Sequence, residues 1–454
     1  MKKGYRQWIQ LISSVVIVIA FIIVLIHRGV IPKFWEPDKE AMEVMAPADE
    51  VESADLPPEQ TDSVETPDGS EPPEDEVQQE DESEHEDPQD QDQEDTSEGA
   101  DEEPDAEQQL EDYLAQDPRQ PREVKGIFIT GAVAGTQNTM PALTGLVEDT
   151  SLNAMVIDIK NDAGEVTYSM GLPLAEEIGA QTRYVADMPG LIQQLKEKGI
   201  YLIARIVAFK DPILAEQKPE YAVKNPDGSV FHDNNDLAWV NPYREEVWDY
   251  LIDLSKEAAA LGFDEIQYDY IRFSTAQGIA DADFGEAADG KTRQDAINGF
   301  LTKAYETLAP MGVFVSVDVF GTIICNETDG QLIGQDYVEM AKHCDYICPM
   351  VYPSHYVNNA YGIPVPDAAP YDLIYASVAD GEQRLSEART ADPQVHIAKQ
   401  RPWLQAFTAT WVDGHISYGG KQLADQIRGA ADAGVNEWLL WNAANNYDKV
   451  KSGL

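Results

Sequence analysis

Cysteine and positive charge are both scarce in this sequence. Its 454 residues include only three cysteines, Cys325, Cys344 and Cys348, too few for a disulfide-stapled scaffold and without paired zinc-ligand spacing. Lysine and arginine number 32 against 82 aspartate and glutamate residues, so the net charge is −50. That balance argues against the large basic surface with which a nucleic-acid-binding protein neutralises phosphates. No histidine pair has metal-ligand spacing either, and we expect neither a metal nor a cofactor.

The acidity is concentrated in residues 36–120. This segment holds 35 acidic residues and only two basic ones, Lys39 and Arg119, and it is rich in Pro, Gln and Ser. Such a composition has too little apolar surface to offset the entropy of an ordered chain. We therefore predict a disordered acidic linker over 36–120, with partner or cation binding as the less favoured alternative.

An apolar run precedes the linker. The 18 residues from Ile9 to Ile26 carry no charge, and as a helix they would span roughly 27 Å, close to the thickness of a bilayer core. Lys2, Lys3 and Arg6 precede the run, which places the N-terminus in the cytoplasm by the positive-inside rule. We predict that residues 1–35 form a cytoplasmic N-terminus and an uncleaved, single-pass signal anchor, with the rest of the chain outside the cell; a cleaved signal peptide is the alternative.

Residues 121–454 have the composition of a globular domain with a repeated pattern. Eight short apolar runs are separated by longer segments, five of which have helical periodicity. The runs are residues 124–130, 154–160, 200–209, 263–273, 313–320, 346–353, 401–407 and 437–443. The helical segments are residues 188–198, 243–261, 294–309, 373–391 and 421–433. Eight strand–helix repeats predict a (β/α)8 TIM barrel over 121–454, with an open doubly wound sheet as the chief alternative.

The barrel prediction indicates where a site would lie. Active sites of such barrels lie at the C-terminal ends of the strands, and alternate residues of each strand point to the axis. In the fifth strand, Val315, Val317 and Val319 form an apolar row suited to the helices, so Asp318 faces the axis. In the fourth strand, Asp269 shares a polar face with Gln267, so it too faces inward near the strand's end.

Other polar and aromatic residues surround this predicted pair. Two carboxyl groups suit glycoside hydrolysis, in which one donates a proton and the other acts as nucleophile or base. The residues we expect to bind substrate are Asp158, Lys160, Arg205, Arg272, Tyr352, Arg401, Trp403, Gln405 and Trp441. The alternative is that Asp269, Asp318 or both belong to a buried ion network with Lys160, Arg205 or Arg272. We expect Glu265 and Glu437 to be structural, since both lie near strand starts.

The sequence resembles a bacterial cell-surface family of glycosyl hydrolase domains of unknown function, distantly similar to the α-amylase group. The segments that carry the resemblance include VIDIKNDAGEV, DEIQYDYIRF, VSVDVF, CPMVYPSHY, RPWLQAF and WLLWNAANNY, spread over residues 124–446. The resemblance implies a barrel, a hydrolase activity, a nucleophile at Asp269 and an acid/base at Asp318. It departs from the amylases in having Asp318 where they have Glu, and from the family pattern in Ala406, where that pattern favours Asp.

One motif formally matches a phosphate-binding loop. Residues 285–292 read GEAADGKT, but no strand precedes them and Glu286 and Asp289 would repel a phosphate. We expect no nucleotide binding here and instead predict that Thr292 caps a helix. The acidic residues around the loop also suit Ca²⁺, although they lack the EF-hand spacing.

The sequence therefore predicts a membrane-tethered, extracytoplasmic glycoside hydrolase. Its expected partner is a cell-wall or capsular polysaccharide, and its expected mechanism uses two carboxylates. The alternative function is a non-catalytic carbohydrate-binding barrel at the cell surface, because fold alone does not decide activity.

Overall fold

The computed structural model describes Asp117 and residues 119–454. The predicted signal anchor and nearly all of the acidic linker lie outside these residues. Within the described part, no helix is both long enough and apolar enough to cross a membrane.

Parallel strands close into a barrel. Their bounds are β1 Lys125–Ile129, β2 Ala154–Lys160, β3 Tyr201–Val207, β4 Glu265–Asp269, β5 Phe314–Phe320, β6 Tyr346–Met350, β7 Lys399–Gln400, β8 Trp403–Gln405 and β9 Trp438–Trp441. Strands β1 to β6 pair in chain order, β6 pairs with both β7 and β8, β8 pairs with β9, and β9 returns to β1. This closure confirms the eight-strand barrel and excludes the open sheet.

The seventh predicted strand is the one that differs from expectation. It was expected over residues 401–407, whereas the structure has β7 at Lys399–Gln400 and β8 at Trp403–Gln405, with the ladder interrupted at Pro402. Proline has no backbone N–H to donate to a neighbouring strand, which accounts for the break at this point.

Helices occupy the segments between strands. Their bounds are α1 Gly131–Ala134, α2 Thr139–Asp149, α3 Pro173–Glu177, α4 Met188–Glu197, α5 Pro212–Gln217, α6 Glu245–Leu261, α7 Arg293–Leu308, α8 Glu327–Ile333, α9 Tyr337–Met340, α10 Pro370–Ala391 and α11 Gly420–Asp432. The five predicted helices are α4, α6, α7, α10 and α11. Gly262 ends α6 with a φ of 104°, a left-handed conformation that favours glycine. Thr292 caps α7 by accepting a hydrogen bond from the Asp295 N–H, as predicted.

The core has two layers that follow the alternation of the strands. Val315, Val317 and Val319 belong to the large outer core between the strands and the helices. Phe314 belongs to a smaller core inside the barrel, together with side chains such as Tyr201 and Cys348. The predicted inward and outward faces of β5 are therefore confirmed, and Asp318 lies on the same face as Phe314.

Candidate active site

Two carboxylates lie at the C-terminal ends of adjacent strands. Asp269 is the last residue of β4, and Asp318 lies near the end of β5. The pairing of Gln267 with Ser316 and of Tyr268 with Val317 brings the two aspartates to the same level of the barrel. Both are buried, with relative exposures of 5% for Asp269 and 1% for Asp318. The predicted pair is thus side by side near the top of the barrel.

Arg205 of β3 holds Asp269. Its Nε and Nη2 both donate to Asp269 Oδ2, over 3.0 and 2.5 Å, while its Nη1 donates to Asp158 Oδ1 over 2.6 Å. The backbone N–H of Tyr270 donates to the other oxygen, Oδ1, over 2.6 Å. These hydrogen bonds fix the position of the Asp269 carboxyl group, and those from the guanidinium are of the strong, charge-assisted kind.

Asp318 has a different environment. Its Oδ1 accepts a 2.6 Å hydrogen bond from Nε1 of Trp403, and the carboxyl group is enclosed by the barrel. Burial raises the pKa of Asp318 well above its ordinary range, and the nearby charge of Asp269 raises it further. Because the indole N–H occupies Oδ1, the proton that this carboxyl holds belongs on Oδ2. Asp318 is therefore set up as a proton donor.

The third carboxylate of the site is Asp158 of β2. Burial raises the pKa of Asp158 to about 6, although its ion pair with Arg205 opposes the shift. Arg205 thus lies between the carboxylates of Asp158 and Asp269. Part of the buried ion network considered as an alternative does exist, because Arg205 pairs with both Asp158 and Asp269.

Aromatic rings form the wall around Arg205. Trp441 of β9 stacks on Phe128 of β1 with ring centroids 4.2 Å apart, and it meets Trp403 edge to face. The Arg205 guanidinium lies 5.2 Å from the Trp441 ring and 5.3 Å from Phe128. Trp403 and Trp441 therefore join the carboxylates as predicted. Phe128 was missed, although its inward position follows from the alternation of β1.

Arg272 lies in the loop that follows β4. Its guanidinium is enclosed by Trp239, Tyr270 and Phe320, with centroid distances between 4.6 and 5.2 Å. Tyr270 has a φ of 48°, a left-handed conformation that is costly for an aromatic residue. The chain turns at Tyr270, directly after Asp269, and the Tyr270 N–H donates to that carboxylate.

The prediction that Lys160 shares the face of Asp158 is wrong. The register shifts between these residues, so Asp158 pairs with Arg205 while Lys160 pairs with Ile206, an outer-core residue. Lys160 is fully buried, where it pairs with Asp211 over 3.0 Å and donates to the Val207 carbonyl. An irregularity of this kind leaves no mark in the alternation of the sequence.

Arg401 does not lie at the predicted site. It is fully buried at the opposite end of the barrel, where it forms ion pairs with Glu265 over 2.8 Å and with Glu437 over 3.1 Å. Its guanidinium also covers the Tyr346 ring at 3.6 Å. Arg401 lies two residues before Trp403, at the level of Glu437 and the strand starts, so it forms a structural ion network with Glu265 and Glu437.

Gln405 connects loops at the upper rim. It accepts from the Ser354 N–H over 3.1 Å and donates to Asp367 Oδ1 over 3.0 Å and to the Phe407 carbonyl over 3.1 Å. Every polar atom of its side chain is thus used within the protein, so Gln405 positions the rim. Tyr352, by contrast, lies in the inner core, edge to face with Phe407 and His355.

No metal centre emerges from the described residues. Among them, no group of three or more His, Cys, Asp or Glu side chains is arranged to hold a metal ion. In the loop that formally matches a phosphate motif, Asp283 pairs through its backbone with Lys224, and its side chain accepts from the Gly285 N–H.

Comparison with known proteins supports this picture. A sequence profile described as "Putative glycosyl hydrolase domain" matches residues 126–447, most of the chain. The chain belongs to this family. The resemblance carried by the strand-end motifs is thereby confirmed, and the domain is a glycoside hydrolase domain.

Solved structures are also similar to this glycosyl hydrolase domain. The glycoside hydrolase domain of PgaB (BpsB) from Bordetella bronchiseptica is 13% identical with a TM-score of 0.53, over 73% of this chain and 97% of that one. This likeness shows the fold. A hypothetical protein from Ruminiclostridium thermocellum is 39% identical with a TM-score of 0.40, over 42% of this chain and 97% of that one. A comparison with curated proteins found no match.

Proposed function

We propose that this domain hydrolyses a cell-wall or capsular polysaccharide, with Asp269 as nucleophile and Asp318 as general acid and base. One observation carries the proposal. On neighbouring strand ends, one carboxylate is paired with buried Arg205, and the other is buried with a raised pKa beside the Trp403 indole. Environments that drive two carboxyl groups apart in proton affinity are the mark of an acid and nucleophile pair.

The proposed reaction has two steps. Asp318 gives its Oδ2 proton to the glycosidic oxygen while an Asp269 oxygen attacks the anomeric carbon, so the leaving sugar departs as an alcohol. The anionic Asp318 then takes a proton from water, whose oxygen attacks the anomeric carbon and releases Asp269 as a carboxylate. Both carboxyl groups return to their starting state, as a retaining mechanism requires.

Strand geometry supports retention over inversion. Neighbouring strands lie about 4.8 Å apart, and the two aspartates are at the same level of adjacent strands. Retaining enzymes separate their carboxyl groups by about 5–5.5 Å, whereas inverting ones leave about 6.5–9.5 Å for a water. A pair on adjacent strands is closer to the first arrangement.

Sugar release tests the function. Full-length protein in detergent is incubated with peptidoglycan and with soluble polymers of glucose, glucosamine, N-acetylglucosamine and galactosamine, and new reducing ends are counted. We expect release from at least one polymer, with proton NMR showing a first product of unchanged anomeric configuration. The Asp269→Asn/Asp318→Asn double variant is the control. Binding of a polymer without any release by the wild type would favour the carbohydrate-binding barrel.

We also propose that the domain is tethered outside the cell by the apolar run at residues 9–26. The arrangement of the domain supports this. Arg119, at the end of the linker, donates to the Val313 carbonyl and to both oxygens of Asp345, just before β5 and β6. Arg119, the first residue of the continuous described range, therefore lies at the strand starts, at the end of the barrel opposite the site.

Proteolysis tests this topology. Protease added to intact cells stripped of their wall should remove the domain while a cytosolic marker survives, because three basic residues before the apolar run favour a cytoplasmic N-terminus. Permeabilised cells serve as the control for cleavage of both proteins. Equal protection of the domain and the marker in intact cells would refute the proposed orientation.

A further inference from the structure

An exposed aromatic side chain stands at the upper rim of the barrel. Trp411 lies in the loop after β8 and is 43% exposed, an unusual position for a tryptophan. One side of its indole is supported by Phe407, with ring centroids 6.0 Å apart and an angle of 20° between the planes. Nearly half of the Trp411 side chain therefore remains exposed to solvent beside that support.

The two rings continue into the barrel. Phe407 meets Tyr352 edge to face at 5.9 Å and His355 at 6.3 Å. Tyr352 belongs to the inner core together with Trp403, the indole that donates to Asp318. A row of aromatic side chains therefore runs inward from Trp411 through Phe407 to Tyr352, which shares the inner core with Trp403.

The row is held in place by polar bonds. Gln405 accepts from the Ser354 N–H of one loop and donates to the Phe407 carbonyl of the other, so the loops after β6 and β8 are tied together. Burial also lowers the pKa of His355 to about 4, so its ring is neutral at physiological pH. The support beneath Trp411 is therefore rigid and uncharged.

We infer that Trp411, backed by Phe407, is a binding platform for a pyranose ring of the substrate, one or more units away from the bond that is cleaved. The C–H groups of a pyranose face are apolar and pack flat on an indole, while the ring hydroxyls stay in water. A neutral platform suits an uncharged ring rather than an anionic one. This inference rests on the proposed function, because it places the platform on the path of a polysaccharide that reaches Asp318.

The test compares one ring with several. Kinetics of full-length wild type and Trp411→Ala are measured on 4-nitrophenyl glycosides of one sugar and of its pentasaccharide, for glucose, glucosamine, N-acetylglucosamine and galactosamine. For the sugar that is hydrolysed, we expect Trp411→Ala to raise KM for the pentasaccharide about tenfold and to leave kcat and the monosaccharide kinetics within about twofold. Trp411→Phe should restore most of the loss.

Tyr375→Ala is the matched control, since Tyr375 is 44% exposed on α10 and stacks on Tyr371, away from the aromatic row. The platform would be overturned if KM for the pentasaccharide were unchanged in Trp411→Ala, or if KM rose equally for the monosaccharide and the pentasaccharide glycosides. Either result would leave the proposed function intact. If the wild type binds a pentasaccharide but cleaves none, the proposed catalysis fails, and calorimetric affinities of wild type and Trp411→Ala decide the platform alone. Absence of both binding and cleavage would overturn both proposals.

Discussion

Asp269→Asn is expected to lower turnover by about 10⁴-fold, even with an activated aryl glycoside. The amide is close in shape to the carboxylate but cannot form the glycosyl intermediate, and no other ionised carboxylate lies at the end of β4. Arg205 keeps its ion pair with Asp158, so the barrel should still fold. The measurement is kcat on the best substrate, together with the circular dichroism spectrum and the cooperativity of unfolding.

Asp249→Asn is the matched control for this variant. Asp249 lies on α6, where its exposed carboxylate pairs with Lys303, and its loss should leave turnover unchanged. Turnover at the wild-type level in Asp269→Asn would mean that Asp269 is a structural partner of Arg205. The two-carboxylate assignment would then be wrong.

Asp318→Asn should produce a loss that depends on the leaving group. Without its proton donor the domain should cleave a natural polysaccharide about 10³-fold more slowly, because the departing sugar would have to leave as an alkoxide, which is a poor leaving group. A dinitrophenolate leaves without protonation, so glycosides of that phenol should lose less than about tenfold in their cleavage step. Ser316→Ala, one layer below on the same face of β5, is the control and should behave as the wild type.

The pH dependence of activity provides a second test of Asp318→Asn. Since burial raises the pKa of Asp318, this carboxyl keeps its proton to a higher pH than an exposed aspartate does and loses it as the pH rises through the raised value. Activity on the polysaccharide should therefore fall on the alkaline side. Asp318→Asn should abolish that alkaline limb, and an unchanged limb would assign the proton donor to another group.

Much of this arrangement could be predicted from the sequence, because strands alternate. The valine row of β5 fixed the direction of Asp318, and the polar row of β4 fixed that of Asp269. Eight repeats then placed both at the same end of a closed barrel. These features depend on local periodicity, which a sequence records directly.

The remainder depends on contacts between distant segments. The register shift after Asp158 turned Lys160 away from the site, and Arg401 is held at the strand starts by its ion pair with Glu265. The side chain of Gln405 forms hydrogen bonds with two loops, and no spacing in the sequence predicts that these loops lie close together. Trp411 lies outside any periodic segment, so its support by Phe407 became visible only in the folded chain.

The central claim is that the buried Asp318 carboxyl is the proton donor and carries its proton before the reaction begins. Infrared difference spectroscopy between wild type and Asp318→Asn at pH 7 tests this claim without any substrate. The account predicts the carbonyl band of a protonated carboxylic acid in the wild type and its loss in the variant, with no loss of carboxylate signal. Loss of a carboxylate band instead, with no change in the acid band, would show that Asp318 is ionised and would contradict its role as the proton donor.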